Sequence, residues 1–266
     1  MKLANTLRKV HKWLFLLIGI QALLWTASGF YMVVINLDFI HGDHLVRNLN
    51  EPLPAFSRPL YPTAQLIGGR EAVKSVKLKI LMGHPYYLLQ DANGTHRYDA
   101  YNGGKIPPLN AAAAAQLARH FYAADGAVSR TRLITAEPPI EIPARVLPVW
   151  RIDFDDRFGT SLYIDPDTGA LITRRHDYWR AFDFLWMLHI MDYDERADIH
   201  NTLLLGAGLL SLASVLAGLM LLFHSFGKRG VSPQKYPANR VAGEKRGVRE
   251  RRGPPEEKKD QREASA

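Results

Sequence analysis

Residues Trp13–Leu37, WLFLLIGIQALLWTASGFYMVVINL, decide the fold, because they run for 25 positions without a formal charge. As a helix this stretch would be about 37 Å long, enough to cross a bilayer with some tilt. Thr202–Phe223, TLLLGAGLLSLASVLAGLMLLF, is a second uncharged stretch of 22 residues. The sequence therefore predicts two transmembrane helices, at 13–37 and 202–223.

The first stretch has a second interpretation, as a cleaved signal peptide. Its basic start and the small residues at 26–28 fit such a signal. Apolar residues nevertheless continue to Leu37, further than a cleaved signal needs. This continuation favours an uncleaved membrane anchor.

Positive charge is concentrated at the two ends of the chain. The formal net charge is +8, residues 1–12 carry four basic and no acidic side chains, and residues 228–266 carry 12 basic against 6 acidic ones. Lys and Arg beside transmembrane helices mark the cytoplasmic side. Both termini are therefore expected in the cytoplasm and the central segment outside it, which in a Gram-negative cell means an inner-membrane protein with its centre in the periplasm. The lipid bilayer, and not nucleic acid, is the expected partner of the tail.

This topology predicts six segments. They are a cytoplasmic N-terminus (1–12), a transmembrane helix (13–37), a periplasmic domain (38–177), an interfacial aromatic segment (178–201), a second transmembrane helix (202–223) and a disordered basic cytoplasmic tail (224–266).

Several kinds of chemistry are excluded by composition and motif. The chain has no cysteine, so it has no disulfide, thiol nucleophile, cysteine-ligated iron–sulfur cluster or covalently attached c-type haem. It also lacks a nucleophile elbow, a phosphate-binding loop, a zinc-protease motif and a dinucleotide fingerprint. We therefore predict no catalytic residue and no set of metal ligands, and we do not expect the isolated chain to be an enzyme.

The central region contains an internal duplication. A shift of residues 87–106 by 65 positions aligns identical residues, among them Asp91 with Asp156 and Tyr98 with Tyr163. Each copy has the pattern of a strand, a tight turn and a second strand, and Asn93–Gly94 is a strong hairpin signal. A helix and a further strand are predicted before each hairpin, at 62–70 and 73–80 in the first copy and at 110–124 and 129–136 in the second.

The predicted fold class is therefore α+β, with two transmembrane helices flanking two α-β-β-β units of antiparallel sheet. The insertion Glu137–Pro148 contains four prolines, and we predict that it is an exposed loop.

Several of these motifs resemble those of a known family, the PepSY-associated transmembrane proteins of bacterial inner membranes, which are related to iron-regulated membrane proteins. They are Val10–Trp13 at the start of the first span, Pro148–Phe154 leading to Gly159–Gly169, and Leu188–His189 before the second span. The resemblance covers about residues 8 to 224. It implies PepSY modules outside the membrane, of a kind thought to bind or inhibit peptidases. It also implies a link to iron acquisition, because some of the larger relatives resemble haem b ferric-siderophore reductases.

Small residues recur at helical spacing in both spans and predict a packing seam. In the first span they are Gly19, Ala22, Thr26 and Gly29, and in the second they are Ala207, Ser211, Ser214 and Gly218. Such spacing lets two membrane helices approach closely. We therefore expect the spans to pack as a hairpin, or as a dimer of hairpins. Helical phase also places His11 and His200 on this seam.

Histidines near the membrane boundaries are the candidate cofactor ligands. A haem b with two imidazole ligands needs histidines that face each other from adjacent helices, and it needs no cysteine. The candidates are His11, His189, His200 and His224. Because His11 and His200 lie at opposite membrane faces, a homodimer or another membrane subunit would have to supply a ligand. A cytoplasmic flavin reductase would be the electron donor.

Other interpretations of these histidines stay open. Histidine is amphipathic and suits a wet interface without any ligand, and the aromatic residues around His189 resemble an interfacial belt. A metal site built from His189, Asp192, Glu195 and His200 is a further alternative. Three functions therefore compete, namely haem-linked transmembrane electron transfer, a non-catalytic membrane-anchored module that binds a peptide or peptidase, and an accessory subunit without a cofactor.

Overall fold

The structure is a computed structural model that describes residues 2–47, 55–56, 58–70 and 72–226. The side chains of residues 2–4 and 224–226 are not described. The helices and strands named below all lie within one compact part of the chain, Met1–Leu222, apart from the last turn of the final helix, which extends to Phe226. The predicted tail at 224–266 thus lies outside the described residues, except for the backbone of its first three.

The architecture is α+β, with two antiparallel sheets and two long apolar helices. The helices of the described chain are α1 (Lys2–Val34), α2 (Leu37–His41), α3 (Thr63–Ile67), α4 (Ala111–Phe121), α5 (Asp177–Ile190) and α6 (Thr202–Phe226). The strands are β1 (Ser75–Leu81), β2 (His84–Asp91), β3 (Gly94–Asp99), β4 (Ala127–Ile134), β5 (Val149–Asp155), β6 (Ser161–Ile164) and β7 (Leu171–Arg175).

Two helices are long and apolar enough to cross a membrane, over Asn5–Val34 and Thr202–Phe223. Only 11% and 17% of their most apolar windows are buried, so their side chains do not form the core of a water-soluble domain. The side chains of Phe30 and Val33 are 69% and 85% exposed. A continuous apolar surface of this kind suits a lipid environment.

The ends of α1 differ from the predicted span. The helix begins at Lys2 and stops at Val34, three residues before the predicted end at Leu37. Asn36 is the reason, because its side chain accepts the backbone N–H of Asp38 and so begins the separate helix α2. The apolar part of α6 coincides with the predicted span 202–223.

The two sheets reproduce the duplication seen in the sequence. A shift of 65 positions places β2 and β3 on β5 and β6, and both pairs are antiparallel hairpins. The second sheet, however, has four strands in the order β4-β5-β6-β7, one more than the predicted unit. The corresponding position in the first copy forms only a single bridge, between Tyr98 and Lys105.

Each sheet buries one face against its own helix. In the second unit, Leu117 and Phe121 of α4 pack on Ile152 and Leu162 of the sheet. In the first unit, Leu66 of the short helix α3 joins a smaller core. The alternation of apolar and polar residues along the strands produces this arrangement, because successive side chains point to opposite faces.

The predicted exposed loop Glu137–Pro148 is confirmed in part. Six of its twelve residues are exposed, among them Ile140 at 64%, but Glu141 and Ile142 in its centre are only 7% and 4% exposed. Ile142 joins a small core with Ile134 and Tyr163, so this part of the loop covers the face of the second sheet that α4 leaves open.

Candidate functional site

His11 lies in the seam between α1 and α6, as helical phase predicts. Its Nδ1 atom is 2.9 Å from the carbonyl oxygen of Ser214, and its ring rests against Gly218, where an added Cβ would come within 3.0 Å of His11 Cε1. A carbonyl can only accept, so Nδ1 is the donor in this hydrogen bond. The side chain thereby fills the space that glycine leaves.

The small-residue stripe predicted for α1 is wrong, whereas the stripe on α6 is buried. Thr26 is exposed, and the Cβ position of Gly29 has no neighbour within 4 Å. On α6, Ala207 and Ser214 are 6% and 4% exposed. The face of α1 that packs is instead marked by the buried Ile18 and by polar side chains that form hydrogen bonds with neighbouring helices. These polar residues are His11, Gln21, Trp25 and Ser28.

His189 lies near the end of α5 and faces α1 rather than α6. Its Nδ1 is 2.7 Å from Ser28 Oγ, and Ser28 donates its own proton to the carbonyl of Leu24. The hydroxyl therefore accepts from His189, so Nδ1 of this histidine is also protonated. The ring stacks nearly parallel to Trp186, at 6.3 Å between centroids.

The three predicted haem ligands whose side chains the structure describes, His11, His189 and His200, do not lie together. His189 contacts α1 at Ser28, which is 17 residues after His11 on the same helix. This separation is about 26 Å along the helix axis. His200 is exposed and precedes α6, which begins at Thr202, so the prediction that it faces the seam is wrong. The side chain of His224 lies outside the described residues.

A row of hydrogen bonds that the sequence did not indicate joins α1 to α5. Gln21 and Trp25 donate to the carbonyls of Leu188 and His189, at 2.9 and 2.6 Å. Tyr31 donates to the carbonyl of Tyr178 at 2.9 Å. Since the last carbonyls of a helix have no partner within it, Gln21 and Trp25 cap the end of α5, while Tyr31 holds its first turn against α1.

The loop after α5 uses its acidic residues for its own backbone. The carboxylate of Asp192 accepts the N–H groups of Asp194, Glu195, Ala197 and Asp198. These bonds, Ala197 and Asp198 first, hold the pKa of Asp192 below its ordinary value. Within the described residues no group of three or more His, Asp or Glu side chains could hold a metal ion. The alternative site at His189, Asp192, Glu195 and His200 is thus not assembled there.

A cleft of about 640 Å³ lies between the two units of the domain. One side is formed by β1 and β2, with Leu81, Met82 and Leu88, and the other by Phe121 and Leu171. β1 and β7 are edge strands of their sheets, and both contribute to the lining. The cleft is therefore bordered by two strands whose outer backbone groups have no strand partner in the described chain.

The charged residues that line this cleft are mainly basic. Arg174 forms an ion pair with Asp43, and its Nε donates to the carbonyl of His41. Arg47 and Lys79 are exposed at the cleft and give it an excess of positive charge. The cleft thus combines apolar walls with two cations.

His176 is a fully buried histidine at the start of α5. Its Nε2 donates to the carbonyl of Ile40 at 3.0 Å, and its Nδ1 has no hydrogen-bond partner in the described structure. Phe39, His44, Phe158 and Tyr178 surround the ring. Burial lowers the pKa of His176 below 6.5, and the nearby His44 and Arg180 act in the same direction.

A buried ion cluster attaches α5 to the second sheet. Glu141 accepts from Arg180 at 2.8 Å and from the hydroxyl of Tyr163, and it pairs with Arg151 at 3.1 Å. Burial alone would raise the pKa of the Glu141 carboxyl, but the hydrogen bonds from Arg180 and Tyr163 outweigh it and lower that pKa. No local pattern in the sequence indicates this cluster, because its four members come from four separate segments, the loop 137–148, β5, β6 and α5.

Comparisons of this chain with protein-family models, with functionally characterised proteins and with solved structures give no match. The geometry described above is therefore the basis for assigning a function.

Proposed function

We propose that the protein is a membrane-anchored periplasmic binding module of the PepSY type, whose cleft binds an extended peptide. The observation that carries this proposal is the cleft of about 640 Å³ between the two units. Ligand pockets in proteins have volumes of roughly 300–1,000 Å³ and combine apolar walls with a few polar groups. No catalytic constellation is needed for this role.

The lining favours a peptide over a compact small molecule. β1 and β7 are edge strands, and an exposed edge can pair with an added extended chain through backbone hydrogen bonds. Leu81, Leu88 and Leu171 offer apolar contacts to alternate side chains of that peptide, while Arg47 and Lys79 favour acidic ones. The expected ligand is therefore an extended segment in which apolar and acidic side chains alternate.

The apolar helices and the charge distribution support the placement in the membrane. Two exposed apolar helices flank the domain in sequence, and the chain ends beside them carry an excess of Lys and Arg. The positive-inside rule then puts both ends in the cytoplasm and the cleft in the periplasm. Reporter fusions at Ala266 and at Gly104, with a cytoplasmic and a periplasmic reporter, test this topology.

Peptide binding can be measured on the full chain in detergent. The probe is a fluorescent octapeptide of alternating leucine and glutamate, compared with one of alternating leucine and lysine. The acidic peptide should bind more tightly, and the double variant Arg47→Glu with Lys79→Glu should reverse this preference. Lys77→Glu is the matched control, since Lys77 is exposed on the same strand but outside the cleft lining. Equal binding of both peptides to all variants would refute the proposal.

Haem-linked electron transfer is the second candidate, and one observation favours it. In both His11 and His189 the Nδ1 atom is held by a polar partner in another helix. Histidines that bind metals usually have their second nitrogen fixed in this way, which leaves Nε2 for the metal. Because these two residues lie about 26 Å apart, a homodimer or another subunit would supply the second ligand to haem b.

A visible absorption spectrum distinguishes the two candidates. Full-length protein purified in detergent after expression with haem supply should show a haem b spectrum if the second candidate holds. The spectrum should be lost in His189→Ala and kept in His200→Ala, because His200 is exposed. A folded, colourless preparation rules out the electron-transfer role and leaves the binding module unaffected.

A further inference from the structure

A second, smaller cavity lies between the loop Glu137–Pro148 and helix α5, away from the peptide cleft. Its volume is about 270 Å³. Pro139, Ile140 and Trp179 form apolar walls, and Arg151, Arg180 and Arg196 provide guanidinium groups. Two carboxylates, of Glu141 and Asp183, also line it, so its formal charge is positive.

The cavity lies level with the end of the apolar part of α1. Tyr31 donates to the carbonyl of Tyr178, which places the neighbouring Trp179 beside the last turn of the membrane-crossing segment. The side chain of Ile140 is 64% exposed although it is apolar. Arg175 stacks on Trp179 at 3.8 Å and fixes the ring. Aromatic and apolar side chains at this level are typical of residues that contact the boundary between lipid tails and headgroups.

One donor in this cavity has no acceptor. Arg151 and Arg180 are already bonded, to Glu141, Asp153 and Ser161 among others. Arg196 pairs with Asp183 through Nη1, whereas its Nη2 has no hydrogen-bond partner among the described residues and its side chain stays 17% exposed. Guanidinium groups bind phosphate oxygens well, and an accessible N–H without an acceptor can donate to one.

We propose that this cavity binds the phosphate of an anionic glycerophospholipid from the periplasmic leaflet. Arg196 donates to the phosphate, and Ile140 and Trp179 contact the glycerol and the first methylene groups. A lipid fits better than a free anion because most of the exposed wall is apolar and opens at the membrane boundary. The lipid site rests on the membrane placement proposed above, but it depends neither on the peptide cleft nor on haem.

The test is native mass spectrometry of the full chain released from nanodiscs of phosphatidylglycerol and phosphatidylethanolamine. The wild type should retain one phosphatidylglycerol molecule. Arg196→Gln should reduce the retained fraction about tenfold, as expected for the loss of one charge-assisted hydrogen bond, and Ile140→Ser should reduce it less. Arg119→Gln is the matched control, because Arg119 is exposed on α4, which packs on the other face of the second sheet, and does not line the cavity.

A variant with the opposite expected effect excludes a merely structural role for Arg196. Asp183→Asn removes the carboxylate that pairs with Arg196, so it should increase lipid retention. If Asp183→Asn and Arg196→Gln reduce retention equally, the pair only maintains the fold and the proposal is wrong. Competition by millimolar glycerol phosphate at the same potency as the lipid would also overturn it, because the site would then take a free phosphate.

Failure of the lipid site and failure of the membrane placement are distinguishable. Protein that is released from vesicles by a carbonate wash is not integrated in the bilayer, which contradicts the proposed function itself. If the wild-type protein stays integrated but retains no more phosphatidylglycerol than the Arg196→Gln variant, only the lipid-site proposal is contradicted.

Discussion

Around His11, α1 contacts α6, whereas along its C-terminal half it donates hydrogen bonds to α5. The first contact relies on close approach, with His11 seated on Gly218. The second relies on Gln21, Trp25 and Tyr31, which donate to backbone carbonyls of α5. Close approach depends on residue size and is sensitive to any added methyl group. The hydrogen-bonded contacts instead depend on where the carbonyls of α5 lie, which the residues of α1 do not determine.

The largest expected effect concerns the buried ion cluster around Glu141, which attaches α5 to the second sheet. Glu141→Gln removes the buried carboxylate shared by Arg151 and Arg180 and should lower the free energy of unfolding by about 3 kcal/mol. Thermal or denaturant unfolding of the full chain in detergent measures this. Glu137→Gln, at an exposed position of the same loop, should have almost no effect. Equal stabilities of the two variants would contradict the role of the cluster.

The contact between α1 and α6 can be broken by adding volume at its closest point. Gly218→Leu places a Cβ within 3.0 Å of the His11 ring and should lower the free energy of unfolding by about 1–3 kcal/mol. Gly208→Leu on the same helix is the control, since its Cβ position is open. If both variants unfold at the same temperature, His11 does not sit in a tight seam.

The contact between α1 and α5 should be less sensitive to a single substitution. Trp25→Phe removes the donor to the carbonyl of His189 and keeps most of the ring, so we expect a loss of about 0.6 kcal/mol, and at most about 1.7 kcal/mol. Trp13→Phe, at a position 60% exposed, is the reference in the same unfolding measurement. If Trp25→Phe lowers the free energy of unfolding more than Gly218→Leu does, the contact between α1 and α5 is the more sensitive of the two.

The smallest effect is a dependence on pH at the start of α5. The pKa of His176 is lowered below 6.5 by burial, so the unfolded chain binds a proton at a higher pH than the folded one. The free energy of unfolding should therefore fall as the pH drops below about 6.5, until the folded state is protonated as well. His176→Asn should weaken this dependence, measured as the difference in melting temperature between pH 7.5 and pH 5.

The exposed His200 provides the control for this pH effect. His200→Asn, at an exposed position, should leave the difference between pH 7.5 and pH 5 unchanged. If His176→Asn and His200→Asn change the difference equally, burial of His176 is not its cause.

Much of the fold is predictable from local pattern. The apolar stretch Thr202–Phe223 coincides with the membrane-length part of α6, because length and hydropathy suffice to identify such a helix. The Asn93–Gly94 signal correctly predicted the hairpin of β2 and β3, although the chain turns at Ala92–Asn93 and Gly94 already begins β3. Gly94 has a φ of +125°, which glycine adopts readily. The fourth strand of the second sheet, β7, was not predicted, because only pairing with β6 distinguishes it from a loop.

The candidate sites are less predictable from the sequence. Helical phase placed His11 correctly, but the seam inferred for α1 from Gly29 and Thr26 was wrong, because small size alone does not decide which face packs. His200 was misplaced because the helix ends at Ile190 and a new one begins at Thr202. Phase is meaningful only within one continuous helix.

By itself, the sequence determined two membrane-length helices, a duplicated antiparallel hairpin and the absence of thiol chemistry, since these follow from length, hydropathy, turn residues and composition. Tertiary structure alone decided that His189 bonds to Ser28, that Glu141 is buried among arginines and that a cleft separates the two units. The physical reason is sequence separation. Ser28 and His189 are 161 positions apart, and no local propensity determines which distant groups are brought within hydrogen-bonding distance.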